Sequence, residues 1–229
     1  MKINGLQKLT LLDFPGHCAC TVFLAGCDLN CPFCHNSELI PGNAPAVMES
    51  DELLSFLKKR TGVLDGVAFT GGEPLLRPGL EELIREIRAL GYAVKLDTNG
   101  CHPERLERLL TQHLVDYVAM DIKNSPDRYA ETCGVSDVDT EKIRRSIALL
   151  VNGETKYEFR TTVVAQLHDA ASFEAIGPMI RGAKRYFLQA FTDRDTVPFE
   201  GFTAPEKAEL EAYADIVRPY VGEVSLRGV

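Results

Sequence analysis

Residues 19–34 read ACTVFLAGCDLNCPFC, an apolar run that leads directly into three closely spaced cysteines. The run at 19–25 is short and uninterrupted, which indicates a strand buried in a parallel sheet. Cys27, Cys31 and Cys34 then offer three thiolates on one loop, with no obvious fourth. Thiolate is the soft ligand that selects iron–sulfur clusters or zinc, and a 4Fe–4S cluster ordinarily takes four cysteines. A three-cysteine site would leave one iron open for chemistry.

Three other kinds of site compete for the same cysteines. The segment from Cys31 to His35 matches the haem-attachment pattern Cys-x-x-Cys-His, which belongs to exported proteins, but MKINGLQKLTLLDFPG at the start has no apolar signal core. A structural zinc site needs four ligands, and His35 is too close to Cys34 to complete a tetrahedron. A thioredoxin-like pair would leave Cys27 unused and lacks the expected strand–helix placement. The open cluster is therefore the favoured interpretation.

Composition narrows the class of protein. The chain has 229 residues, 45% of them hydrophobic, so one domain with a sizeable core is expected. Its net charge of −8 is spread without a basic stripe, which argues against a nucleic-acid partner. No apolar run approaches the roughly 20 residues of a membrane helix, so no membrane partner is expected. Seven cysteines, an odd number, indicate reduced thiols and metal ligands and predict a cytoplasmic location.

Strand-like and helix-like segments alternate along the chain. Periodicity predicts strands over 19–25, 66–70, 92–98, 116–122, 157–165, 185–191 and 221–227. It predicts helices over 51–61 with Ser50 as N-cap, 79–90 ended by Gly91, 103–112, 138–151, 170–182 and 204–217.

This alternation predicts an α/β fold built on a parallel sheet with right-handed crossovers. A closed eight-stranded barrel typically needs about 250 residues, so an open barrel of about six strands fits the length better. We expect a single domain over 1–229. Its barrel core would span 17–191, after an N-terminal extension (1–16) and before a C-terminal helix and short strand (192–229).

The motifs that carry chemistry follow successive predicted strands. The cysteines come after the first strand, and Gly71-Gly72-Glu73-Pro74 comes after the second. Asp97-Thr98-Asn99-Gly100 ends the third, and Asp121-Ile122-Lys123 lies at the fourth. Functional loops of parallel β/α folds lie at the C-terminal ends of the strands. The sequence therefore predicts one active site at that rim.

Each motif also has an ordinary structural interpretation. GGEP can be a turn whose glycines supply positive φ or admit a close neighbour. Asp97–Gly100 can be a self-satisfied loop, and Asp121 with Lys123, on one strand face, a local ion pair. An ammonium ligand, however, needs acceptors, and the Glu73 carboxylate with nearby backbone carbonyls would supply charge-assisted hydrogen bonds.

The spacing Cys-x-x-x-Cys-x-x-Cys, with aromatic Phe33 before the last cysteine, resembles the signature of radical S-adenosylmethionine (radical SAM) enzymes. The resemblance implies an open barrel and a 4Fe–4S cluster on Cys27, Cys31 and Cys34. The open iron would chelate the amino and carboxylate groups of S-adenosylmethionine. Reductive cleavage of that cofactor would yield methionine and a 5′-deoxyadenosyl radical.

CPFCHN (31–36), DTNG (97–100) and Asp-x-Lys together resemble glycyl-radical-enzyme activases. GGEP, one strand after the three-cysteine loop, resembles the motif that holds the amino group of S-adenosylmethionine. The activase resemblance concerns the residues of the other segments. It places further pocket residues at Asp97, Thr98, Asn99, Asp121 and Lys123, a lysine near the cofactor carboxylate being a sensible point charge. Phe33 would stack on adenine or pack under the loop. Arg160 and Gln189, polar residues in apolar strands, would contact the cofactor or form core hydrogen bonds.

The segment GLQKLTLLDFPG (5–16), with the compact length, resembles activating proteins of anaerobic ribonucleoside-triphosphate reductases. This implies a glycyl-radical enzyme as partner and a flavodoxin- or ferredoxin-type electron donor. Activation of pyruvate formate-lyase or another glycyl-radical enzyme is one alternative, and a non-enzymatic iron–sulfur electron carrier is another. His35 is assigned no chemistry, and the other histidines are predicted at the surface or in caps: His17, His102, His113 and His168. Cys18 and Cys20 are predicted as small buried residues, and Cys101 and Cys133 have no assigned role.

Overall fold

A computed structural model describes all of residues 1–229. The strands are β1 (Lys2–Ile3), β2 (Gly5–Thr10), β3 (Ala19–Leu24), β4 (Met48–Glu49), β5 (Gly66–Gly71), β6 (Ala93–Thr98), β7 (Tyr117–Asp121), β8 (Lys156–Val163), β9 (Tyr186–Ala190) and β10 (Val224–Arg227). The α-helices are α1 (Ser50–Lys58), α2 (Leu80–Ala89), α3 (Pro103–Thr111), α4 (Tyr129–Thr132), α5 (Thr140–Val151), α6 (Ala170–Met179) and α7 (Lys207–Val217). No helix is long and apolar enough to span a bilayer.

Eight strands form one sheet in the order β10-β9-β8-β7-β6-β5-β3-β2, with β10 and β2 at its edges. The runs β3-β5-β6 and β8-β9-β10 pair in parallel, whereas β2 is antiparallel to β3. β1 and β4 form a separate antiparallel pair. The mostly parallel, open sheet with intervening helices confirms the predicted α/β fold and its six central strands, β3 and β5 to β9.

Two details differ from the predicted elements. The N-terminal extension contains strands, because β2 pairs with the edge of the sheet and β1 pairs with β4. Ser50 is the first helical residue of α1 and not its N-cap, a position that Glu49 occupies. The Ser50 hydroxyl instead accepts a hydrogen bond from the N-terminal ammonium of Met1 at 2.8 Å.

The chain folds into two compact units. The first unit comprises Met1–Asp28, Glu38–Thr98 and Glu104–Val118. The second unit comprises Leu29–Ser37, Asn99–Pro103 and Ala119–Val229. A single domain over 1–229 therefore stays a prediction.

The core of the first unit lies between its strands and helices. In α2, Leu80, Leu83, Ile84 and Ile87 are buried, the spacing expected of one apolar helix face, and the helix contacts α1 and β6. Gly91 follows the helix with φ 91°, a conformation that glycine adopts without a steric penalty, as predicted for a helix end.

The second unit shows how strand alternation positions polar groups. Along β8, every second side chain from Tyr157 to Val163 is buried, and along β9 the same holds for Tyr186, Leu188 and Ala190. The alternate residues point to the opposite face. The parallel register pairs Arg160 with Phe187 and Thr162 with Gln189. Arg160 and Gln189 therefore share one face of the sheet with the half-buried Phe187.

Candidate active site

In the first unit, the GGEP turn packs directly against the start of the cysteine loop. Leu24 at the end of β3 lies opposite Gly71 at the end of β5. Gly72 N donates to Leu24 O at 2.8 Å, and Glu73 N donates to Gly26 O at 2.7 Å. A Cβ atom on Gly71 would lie 2.4 Å from Leu24 O, and one on Gly72 would lie 2.2 Å from Gly26 O. Both glycines are therefore required by the close approach of the chain's own backbone.

Glu73 is fully buried, and its carboxylate has fixed partners. Its Oε1 accepts from the backbone N–H of Leu75 at 3.0 Å, which caps a 3₁₀ turn over Pro74–Leu76. The hydroxyl of buried Thr98 lies 3.0 and 3.1 Å from the two carboxylate oxygens. The structure thus brings together Glu73 and Thr98, which the sequence predicted from two separate motifs.

Asp97 has a lysine partner that the sequence analysis missed. Buried Lys95 donates from Nζ to Asp97 Oδ1. Both residues lie on β6 two positions apart, so they share one face of the sheet. The signal was present in VKLDT, where a lysine interrupts an otherwise apolar strand, but a single lysine does not reveal its burial.

The cysteine loop begins in the first unit. There, Gly26 N donates to Leu39 O at 2.7 Å and Cys27 N donates to Ile40 O at 3.1 Å, which fixes the backbone at the half-buried Cys27.

The loop continues in the second unit. Cys34 N donates to Cys31 O at 3.1 Å, so these two cysteines lie on one tight turn. Phe33 between them is 5% exposed and packs into the protein. Burial raises the pKa of the Cys34 thiol.

The thiol of Cys133, a residue without a predicted role, interacts with the thiol of Cys31. This interaction, aided by the positive charge of Lys123, lowers the pKa of Cys31 to about 7 against the opposing effect of burial. The same interaction, together with burial, raises the pKa of Cys133. Cys31 is therefore the member of the pair that favours the thiolate, which is the form that binds metals.

The second unit also contains a charged triad at the end of β7. Lys123 Nζ donates to Asp121 Oδ2 at 2.8 Å, and Arg160 Nε donates to Asp121 Oδ1 at 2.5 Å. Burial opposes ionisation of Asp121, but Arg160 and Lys123 hold its pKa well below the ordinary value. The ion pair that the sequence allowed is present. With two cations to one anion, the triad keeps a net positive charge, which suits an anionic ligand such as a carboxylate.

His168 is buried, which contradicts its prediction as a surface or capping residue. Its Nδ1 lies 3.1 Å from the backbone N–H of Val164 and its Nε2 lies 2.8 Å from Lys123 O. Nδ1 therefore accepts, and Nε2 carries the proton and donates to the Lys123 carbonyl. Burial lowers the pKa of His168 and keeps the ring neutral. Its partner Lys123 lies 45 residues away, so no local pattern revealed it.

The remaining predicted residues have different surroundings. Asn99 is buried and its Oδ1 accepts from Cys101 N at 2.9 Å, the contact expected of a loop that satisfies itself. Gln189 is half-buried on the same sheet face as Arg160. His35 binds the Thr192 carbonyl at 2.7 Å and stacks on Phe191.

The protein-family model described as the radical SAM superfamily matches residues 21–164, which is more than half of the sequence. The chain belongs to the radical SAM superfamily. Enzymes of this superfamily use a 4Fe–4S cluster and S-adenosylmethionine.

No group of three His, Cys, Asp or Glu side chains converges as the ligands of one metal ion would. Three cysteines of a 4Fe–4S cluster bind three different irons. The donor set fits that cluster, since one loop carries three thiols and Cys31 favours the thiolate.

Several known proteins are similar over different lengths. A Methanocaldococcus jannaschii protein whose name contains "glycyl-radical enzyme activating enzyme" is 30% identical over 236 residues, covering 99% of this chain and 96% of its own. A pyruvate formate-lyase-activating enzyme of Clostridium pasteurianum is 31% identical over 131 residues, 55% of this chain and 54% of the relative. The solved structure of native anSMEcpe with bound AdoMet has the same fold, with a TM-score of 0.58, 17% identity and coverage of 85% of this chain and 56% of that one.

Proposed function

We propose that this radical SAM enzyme activates a glycyl-radical enzyme by removing a hydrogen atom from a backbone glycine of that partner. The observation that carries the proposal is the similarity to an activating-enzyme relative along nearly the whole of both chains. The CPFCHN and DTNG segments, which resemble those of glycyl-radical-enzyme activases, also support it. When bound, the cluster supplies the electron that cleaves S-adenosylmethionine into methionine and the 5′-deoxyadenosyl radical.

Each group of residues has a role in this proposal. Cys27, Cys31 and Cys34 would hold the cluster. Glu73, fixed by Thr98 and the Leu75 N–H, would accept hydrogen bonds from the cofactor ammonium.

The positively charged triad of Asp121, Lys123 and Arg160 would bind the cofactor carboxylate. Phe33, the GGEP backbone with Pro74, Asp97, Asn99 and Gln189 complete the proposed cofactor residues. The order of these motifs along the chain is what supports a shared site.

The partner is proposed from the N-terminal segment GLQKLTLLDFPG, which favours an anaerobic ribonucleoside-triphosphate reductase. The match to a pyruvate formate-lyase-activating enzyme supports the alternative partner. Radical SAM enzymes that are not activases, such as 7-carboxy-7-deazaguanine synthases, also match shorter parts of the chain. We further propose a flavodoxin- or ferredoxin-type electron donor and a cytoplasmic location.

The first prediction is the activation reaction. The reconstituted protein, reduced and mixed anaerobically with S-adenosylmethionine and an anaerobic ribonucleotide reductase, should yield 5′-deoxyadenosine and a glycyl-type doublet in the electron paramagnetic resonance spectrum. Cys34→Ser should abolish both products because a cluster ligand is lost, whereas Cys18→Ala should retain them.

Two results would contradict parts of this proposal. A doublet formed only with pyruvate formate-lyase would keep the reaction and overturn the choice of partner. Cleavage of the cofactor without a protein radical on any glycyl-radical enzyme tested would reject activation and favour a small-molecule substrate. Failure to bind S-adenosylmethionine by a cluster-loaded protein would instead favour a simple electron carrier.

A further inference from the structure

The backbone of Ile122, in the second unit, is held to the neighbouring strand β8 through both its N–H and its carbonyl. Ile122 lies between Asp121 and Lys123 in the sequence and is completely buried. Its N–H donates to Arg160 O at 2.8 Å, and its carbonyl accepts from the hydroxyl of Thr161 at 2.6 Å. Two consecutive residues of β8 therefore fix the residue that separates two members of the charged triad.

The Thr161 hydroxyl is oriented by a second buried hydroxyl. Thr161 is 1% exposed, and its side chain alternates along β8 with that of Arg160, so it points to the opposite face of the sheet. A hydroxyl has one proton and the Ile122 carbonyl can only accept, so the Thr161 proton goes to Ile122. The hydroxyl of buried Tyr186 lies 2.6 Å from Thr161 Oγ1 and therefore donates to it.

The geometry of the triad depends on how the end of β7 is placed against β8. Asp121 is the last residue of β7 and Lys123 follows it, whereas Arg160 belongs to β8. The two short contacts of the Asp121 carboxylate, with Lys123 Nζ at 2.8 Å and Arg160 Nε at 2.5 Å, connect the two strands. A shift of the Ile122 peptide would change the spacing of the two cations.

We propose that Thr161 is a positioning residue for binding of the cofactor carboxylate, because its hydrogen bond to Ile122 sets the spacing of Lys123 and Arg160. This inference rests on the proposed binding of the S-adenosylmethionine carboxylate by the triad. Charge-assisted hydrogen bonds are strong, but they weaken steeply when their distances and angles are poor. Thr161 therefore contributes to the affinity for the carboxylate although it is not one of the residues proposed to bind it.

The test is calorimetric titration of the cluster-loaded protein with S-adenosylmethionine and with its decarboxylated form. Thr161→Val places a methyl group where the hydroxyl lies 2.6 Å from Ile122 O, whereas carbon and oxygen atoms pack at about 3.3 Å, so the peptide must move. The affinity for S-adenosylmethionine should fall about tenfold. The affinity for the decarboxylated form should stay close to that of the wild type, because this ligand has no carboxylate to align.

Further variants separate the hydrogen bond from general packing. Thr161→Ser keeps the hydroxyl and should bind S-adenosylmethionine as the wild type does. Thr161→Ala removes the hydroxyl without adding bulk and should bind it more weakly than the serine variant, a comparison that also serves if Thr161→Val does not fold. Thr21→Val makes the same chemical change at a buried, hydrogen-bonded threonine of β3 and should leave both affinities unchanged.

Unchanged affinity for S-adenosylmethionine in the valine and alanine variants would overturn the inference, as would a serine variant that binds as weakly as the alanine variant. Equal losses for the two ligands would also overturn it, because they would show a general disturbance of the fold. Each of these results leaves the proposed function intact. A cluster-loaded wild-type protein that binds no S-adenosylmethionine would reject the proposed function and this inference together.

Discussion

Glu73 shows how a single side chain can be both a structural cap and a proposed ligand group. Its carboxylate is buried, caps the turn over Pro74–Leu76 and accepts the Thr98 hydroxyl. An ionised carboxylate has about four acceptor positions, so these contacts do not exhaust its capacity. These partners hold the Glu73 side chain in one orientation. Less side-chain conformational entropy is therefore lost when a ligand binds to it.

At this scale we predict that Glu73→Gln weakens S-adenosylmethionine binding by roughly 1.5–3 kcal/mol, because a charge-assisted hydrogen bond is lost. Calorimetry with the cluster-loaded protein measures the change, and iron content should stay the same. Glu82→Gln, an exposed change on α2, is the matched control. Unchanged affinity in Glu73→Gln would leave the GGEP segment as a structural turn alone.

At the scale of elements, sequence periodicity predicted the six central strands and the main helices. It missed β2, whose residues Gln7, Lys8 and Leu9 are exposed at the sheet edge and show no buried alternation. It also missed β1 and β4, which are too short for a period to appear. In the site, the sequence predicted the motifs that follow successive strands. It missed Lys95, Cys133 and His168, because their surroundings depend on burial and on partners that are distant in the sequence.

His168 links the loop after β8 to the backbone at Lys123, and its burial predicts a pH-dependent stability. Its folded pKa is lowered, so below about pH 6.5 the unfolded chain takes up a proton that the folded ring does not. The contribution of His168 to the free energy of unfolding is therefore fully present above that pH and is lost as the pH falls. The nearby charges of Arg128 and Asp169 act in opposite directions and leave burial dominant.

Chemical denaturation at several pH values between 7.5 and 5.5 should show this loss. The free energy of unfolding should fall by up to about 1.4 kcal/mol per pH unit because of this residue. His168→Gln removes the titrating group, so its stability should fall less over the same range. His113→Gln, at an exposed position, is the control. Equal slopes for the wild type and His168→Gln would contradict the assignment of a neutral buried ring.

At the scale of the whole molecule, the boundary between the two units falls inside a strand. Tyr117 and Val118 of β7 belong to the first unit, and Ala119–Asp121 belong to the second. If the two units unfolded separately, one part of β7 would have to remain ordered while the other part unfolded.

We therefore predict one unfolding transition for residues 1–229. Far-ultraviolet circular dichroism and tyrosine fluorescence, followed in the same denaturant series, should give coincident curves. Two separated transitions, or curves that differ between the probes, would show that the units unfold independently and would contradict the single domain.

The hydrogen bond from Glu73 N to Gly26 O has a consequence for mutational scanning. A residue whose replacement removes iron from a protein is commonly counted as a ligand, yet Gly72 has no side chain with which to bind metal. Alanine at Gly72 would drive a methyl group into Gly26 O, one residue before Cys27. Iron content and cofactor affinity would then fall together. A mutational scan that measures both would record a single combined loss, although the cysteines proposed to bind the cluster and the GGEP segment proposed to bind the cofactor are separate groups.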